Sequence, residues 1–109
     1  MKVLYHPDFT NDIRRFALEY GQAYNALGAR FQRETREAIA RIKAGPYHAG
    51  HMLRTKTGVV KNFRRCNLQS FPFFVLYGYE QDLLIFGSLI PSRSDPLTWL
   101  TRFQDWPAT

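Results

Sequence analysis

From Phe9 onward the apolar residues recur at helical spacing. Phe9, Ile13, Phe16, Ala17, Tyr20, Tyr24 and Leu27 form one stripe, and Gly28 is expected to end that helix or mark a tight turn. Pro7 and Asp8 supply its start, since proline suits the first turn and a carboxylate there meets the positive end of the helix dipole. A second stripe follows at Phe31, Thr35, Ala38, Ile39 and Ile42, with Arg30, Arg33, Glu34, Arg36, Glu37 and Arg41 off it. Gly45–Pro46 stops it. Two amphipathic helices with a short connection predict an antiparallel hairpin laid on a sheet.

The period then changes. "KVLYH" at the N-terminus is a short strand candidate, and "PYHAGHMLRTKTG" reads as a loop with a ragged strand. "VVKNFRRCNL" is a further strand. "FPFFVLYGYE" and "DLLIFGSLI" are apolar at odd and even positions alike, as central strands covered on both faces should be, and Glu80–Gln81–Asp82 joins them in a hairpin. Pro72 belongs at the beginning of its strand, where a missing N–H costs least. Asp95–Pro96 starts a last helix with Trp99, Leu100, Phe103 and Trp106 on its apolar side. The expected fold is α+β: an N-terminal strand, an antiparallel helical hairpin on a small, mainly antiparallel sheet, and a short C-terminal helix. The 109 residues make one domain.

Composition narrows the class. A hydrophobic content of 45% and an aromatic content of 16% exclude a disordered chain. The longest apolar stretch, Phe71 to Gly78, is far short of a membrane span and contains a proline. No signal-peptide layout opens the chain, and the lone Cys66 cannot form an intramolecular disulfide, so a cytoplasmic location without membrane partners is expected.

Charge changes the picture more. The net charge is +6, yet no acid stands between Glu37 and Glu80, where Arg41, Lys43, Arg54, Lys56, Lys61, Arg64 and Arg65 all lie. That segment is +7, against −1 for the remainder. A one-signed stretch of this kind attracts a polyanion or an acidic protein. Arg54, Lys56, Lys61, Arg64 and Arg65 are the candidate nucleic-acid contacts.

Strand alternation sends Arg64 and Arg65 to opposite faces, Lys61 and Phe63 going with Arg65, and Asn62 and Cys66 with Arg64. One arginine is expected to reach an open face, the other to pair or snorkel at the sheet's margin. His48, His51 and Cys66 lack the paired spacings of a structural zinc site, and no phosphate-binding glycine loop is present. No metal or cofactor is called for. Metal-free RNA cleavage needs only a base for the 2′-hydroxyl, cations for the developing charge and an acid for the leaving oxygen. Arg65, Lys61, Arg93 and Tyr77 are the candidate catalytic residues, with Tyr79, and with His48 or His51 if their loop folds over. The phenylalanines of "FPFFVLYGYE" read as core, while its tyrosines are open to either role.

Taken in order, "YHPDFTNDI", "LGARFQRETREAIARI", "RRCNLQSFPFFVLYGYE" and "SDPLTWLTRF" resemble the RelE/ParE toxins of bacterial type II toxin–antitoxin modules over nearly the whole chain. The resemblance implies a target surface of basic and tyrosine side chains on the open sheet face. It implies either ribosome-dependent cleavage of messenger RNA or poisoning of DNA gyrase. It also implies an acidic antitoxin that wraps the toxin in a hetero-oligomer. The chain departs from the family pattern before Asp95–Pro96. Many relatives carry a histidine and, three residues later, an arginine there; this chain has Pro91 and Ser94, with Arg93 one position off. That departure favours the gyrase branch, the +7 segment the messenger branch, and the balance leans to RNA cleavage, with a nucleic-acid-binding module without toxicity as the further alternative.

Overall fold

A computed structural model describes residues 1–53, 62–104 and 106–107. Within these, strand β1 (Lys2–Tyr5) leads into helix α1 (Pro7–Ala23), α2 (Asn25–Ala44) and a single turn, α3 (Pro46–Ala49). Strands β2 (His51–Met52), β3 (Phe63–Asn67), β4 (Phe73–Glu80) and β5 (Leu83–Pro91) follow, then α4 (Pro96–Trp99) and a 3-10 turn over Leu100–Phe103. The class is mixed α+β, and no described helix is long and apolar enough to cross a membrane.

Helix α1 begins where its sequence predicts. His6 caps it, its Nδ1 accepting from the Asp8 N–H at 3.0 Å, with Pro7 in the first turn. The helix ends earlier than expected, because Tyr24 takes an extended conformation and separates α1 from α2. Gly28 is therefore no turn; it lies inside α2, buried against α1. A Cβ there would sit 2.8 Å from the Ala17 carbonyl oxygen and 3.0 Å from the Gly21 Cα, so the missing side chain lets the two helices touch. Phe31 of α2 stacks on Tyr20 of α1. Glu34, expected on the polar side, is buried; it accepts from the Ser70 N–H at 2.9 Å and pairs with Arg30, tying α2 to the β3–β4 connection. Burial pulls the Glu34 carboxyl up, but its bonds from Ser70 and the Arg30 charge outweigh that and hold its pKa below the ordinary value.

The five strands lie in the order β1-β5-β4-β3-β2, with β1 parallel to β5 and every other pair antiparallel. β4 and β5 are central, as their double-sided apolar pattern predicts. Their connection is a two-residue turn in which Gln81 and Asp82 both take positive φ, 51° and 64°, matching the twist of a tight hairpin. Alternation divides the sheet's side chains between two cores. Val75, Tyr77, Leu84 and Phe86 meet Phe9, Phe31 and Ile42 of the helices. Phe63, Phe74, Leu76, Ile85 and Ile90 meet Leu100 and Phe103 of the C-terminal turn on the opposite face.

Because β1 pairs only with Leu83–Phe86, the remainder of β5 has an edge on that side. Two charged side chains close it. Asp12 of α1 accepts from the Leu89 N–H, and Arg102 donates to the Gly87 carbonyl. Asp12 and Arg102 also join each other in a two-pronged ion pair of 2.6 and 3.2 Å. Trp99 lies under the Arg102 guanidinium, and Trp106 meets His6 edge-on.

Candidate nucleic-acid interface

Register settles where the adjacent arginines point. Arg64 stands opposite Tyr77 and Arg65 opposite Leu76, so Arg64 shares the helix face and Arg65 the other one. Both are half-buried.

Arg65 lies over the Phe74 ring, 3.9 Å from its centroid, and donates to Asn67 Oδ1 at 3.2 Å. Its cross-strand neighbour is His51 of β2. Directly opposed residues of antiparallel strands project to the same face with Cβ atoms about 5 Å apart. A histidine and an arginine thus stand side by side at the sheet's margin, away from the helices. His51 reaches this place through strand pairing rather than by a loop folding over.

Arg64 is the arginine held at the margin. Its Nη1 donates to the carbonyls of Tyr47 and Gly50, at 2.9 and 3.1 Å, and its guanidinium lies 5.3 Å from the Tyr47 ring centroid. Its Nε is buried with no acceptor among the described residues. Gly50 must lack a side chain, since a Cβ would meet the Arg65 carbonyl oxygen at 2.6 Å and the Tyr77 hydroxyl at 2.8 Å. Arg41 comes across from α2 with a long contact to the Asn67 carbonyl and another to Cys66 Sγ. Among the described residues none of Arg41, Arg64 and Arg65 enters an ion pair. Neutral acceptors fix their geometry, and no carboxylate among the described residues pairs with their charge.

The other candidates scatter. Tyr77 belongs to the core: it is fully buried on the helix face and its hydroxyl donates to the Pro46 carbonyl at 2.6 Å. Burial, with Cys66 adding and Arg64 opposing, pushes its pKa up to about 12. It is absent from the open face, because the residue opposite Arg64 must share Arg64's side. Arg93 is exposed in the turn after β5 and lines a groove of about 580 Å³ with Phe16, Glu19, Tyr20 and Phe73, on the helix side rather than beside Arg65. Tyr79 is half-buried, in edge contact with Tyr47. Arg54, Lys56 and Lys61 lie outside the described residues. His48, His51 and Cys66 do not converge: Cys66 is buried with the helix-side core while His51 is exposed on the other face, and no metal-holding cluster occurs among the described residues.

Tyr47 is the residue that sequence reading passed over. It sits in a stretch without periodicity, and its only signal was an aromatic beside a helix-stopping Gly-Pro. Compared with protein-family models and with curated proteins, the chain matches none.

Proposed function

We propose that this chain is the toxin of a type II toxin–antitoxin pair, similar to the RelE/ParE toxins, and that it stops growth by cutting messenger RNA on the ribosome without a metal. The observation that carries this reading is the pairing of His51 with Arg65 on the face away from the helices. Proton transfer and phosphate stabilisation are the two needs of 2′-hydroxyl attack on a phosphodiester, and an imidazole beside a guanidinium meets both. His51 takes the proton from the 2′-hydroxyl as that oxygen bonds to phosphorus and gives it to the 5′-oxygen as the bond from phosphorus to that oxygen breaks, while Arg65 faces the charge that builds on the phosphorus oxygens. The acid-free segment around the pair draws the polyanion in. Arg54, Lys56 and Lys61 extend that field in the sequence, and a short acidic antitoxin is the expected partner.

Primer extension on translated message after induction tests the reading. Codon-phased cuts are expected in the wild type and lost in both Arg65→Ala and His51→Ala. Intact message with trapped gyrase–DNA complexes would overturn it in favour of the gyrase branch. What favours that second reading is Arg93, which lines the α1 groove instead of joining the His51–Arg65 pair.

A further inference from the structure

We infer that Tyr47, fixed between Arg64 and Tyr79 at the helix-side margin of β3, is a stacking platform for one base of a single-stranded nucleic acid. The inference rests on the reading of this chain as a nucleic-acid-contacting protein, and adds to it a site on the face opposite the His51–Arg65 pair.

Three exposed tyrosines separate the possibilities. Tyr5 stacks on Phe9 and Phe86 and has Lys43 over its ring, so its faces are committed to the fold. Tyr24 is 71% exposed and has no ring or cation partner among the described residues. Tyr47 alone combines exposure, 52%, with a built support: Arg64 5.3 Å from its centroid and Tyr79 in edge contact at 4.9 Å. The support is itself rigid, because two backbone carbonyls hold Arg64. Met52, 58% exposed and directly opposite Arg64, widens the same floor.

The chemistry of the floor selects its occupant. A π-face is what every nucleobase offers, and stacking on an aromatic ring is tolerant of sequence. The Arg64 charge, unpaired with any carboxylate among the described residues, attracts the phosphate on either side of a stacked base. An apolar protein partner would instead have to bury that cation without an acid to meet it. Arg65 stands next to Arg64 on the opposite face, so a strand bent over the β2–β3 margin places a base on Tyr47 and a phosphate at Arg65.

The test measures fluorescence anisotropy of two labelled probes at fixed salt: a single-stranded oligoadenylate, and a same-length strand of abasic sugar phosphates. The wild type is expected to bind the base-bearing strand about tenfold more tightly, in the range of one base–aromatic stack. Tyr47→Ala and Tyr47→Leu should erase that preference while leaving abasic binding unchanged, and Tyr47→Phe should keep it. A preference that survives in either the alanine or the leucine variant overturns the platform. Equal binding of both probes by the wild type overturns it too, leaving the charged surface standing. Failure to bind either probe removes the nucleic-acid reading itself. Thermal melts of the variants confirm that folded protein is being compared.

Discussion

Arg64 and Arg65 occupy neighbouring positions and hold unlike jobs. Arg64 satisfies two backbone carbonyls of the segment that leads from α2 into β2, so its removal leaves those acceptors unpaired at a half-buried margin. Charge-assisted hydrogen bonds of this type contribute about 1.5–3 kcal/mol. Arg65→Ala loses a bond to an exposed amide and a ring contact, for which about 1 kcal/mol is the expected scale. Urea denaturation should therefore rank Arg64→Ala as clearly the less stable variant, while RNA cleavage should fail in Arg65→Ala despite its near-normal stability. Equal losses of stability would contradict this division. The opposite orientation of the pair was legible in the sequence, since alternation in a strand demands it. Which one faces the helices was not, because that depends on pairing with Tyr77, a partner thirteen positions away. The same dependence hid the fate of Tyr77, whose composition suits a site as well as a core.

At the scale of elements, glycines carry contacts that periodicity does not reveal. Gly87 falls where the β4–β5 register shifts: Leu76 pairs with Ser88 and Tyr77 with Phe86, leaving Gly87 as the extra residue of a bulge. Phe103 fills the space above it, and a Cβ on Gly87 would lie 2.1 Å from the tip of that ring. Gly87→Ala must displace Phe103, which is 1% exposed, and with it the core on that face. A loss of about 1–3 kcal/mol is expected from such overpacking, read as a lower urea midpoint with an unchanged slope. Gly28 illustrates the converse. A glycine at the end of an apolar stripe reads as a helix stop, whereas here it is a helix–helix contact and the true break comes at Tyr24, which bears no stop signal. Both long helices were legible from their period, the central strands from apolar runs on both faces, and the order from the succession of the two. The short α3 was not, being a single turn, while β2 was legible only as a ragged strand within a loop.

For the molecule as a whole, acid is the condition that tests the assembly. His6 caps α1 through an unprotonated Nδ1. Burial and the nearby Arg102 hold its pKa below the ordinary 6.5, with Asp8 and Asp12 opposing. Glu34 is likewise held below its ordinary 4.5, there by Ser70 and Arg30 acting against burial. Both groups bind protons less readily when folded than when unfolded. The unfolded state thus holds more protons in each window, and stability rises with pH. Between the ordinary histidine value and about pH 10, where the raised Tyr77 begins to matter, the urea midpoint should be level; it should fall below pH 6.5 as His6 is driven to protonate, and fall again below pH 4.5 through Glu34. His6→Asn keeps a cap oxygen that does not titrate, so it should remove the first fall and leave the second. A first fall unchanged in that variant would assign it elsewhere.

The clasp at the edge of β5 has a consequence for how the chain is made. Asp12 and Arg102 are 90 positions apart, so during synthesis the acid emerges well before its partner. Until Arg102 arrives, β5 can be complete yet leave the Gly87 carbonyl on that side without its donor, an opening for a strand from another nascent chain. The order of translation therefore closes this sheet's edge only after Arg102 has been made, and the interval before the turn that carries it docks is the one in which neighbouring copies are most able to mispair.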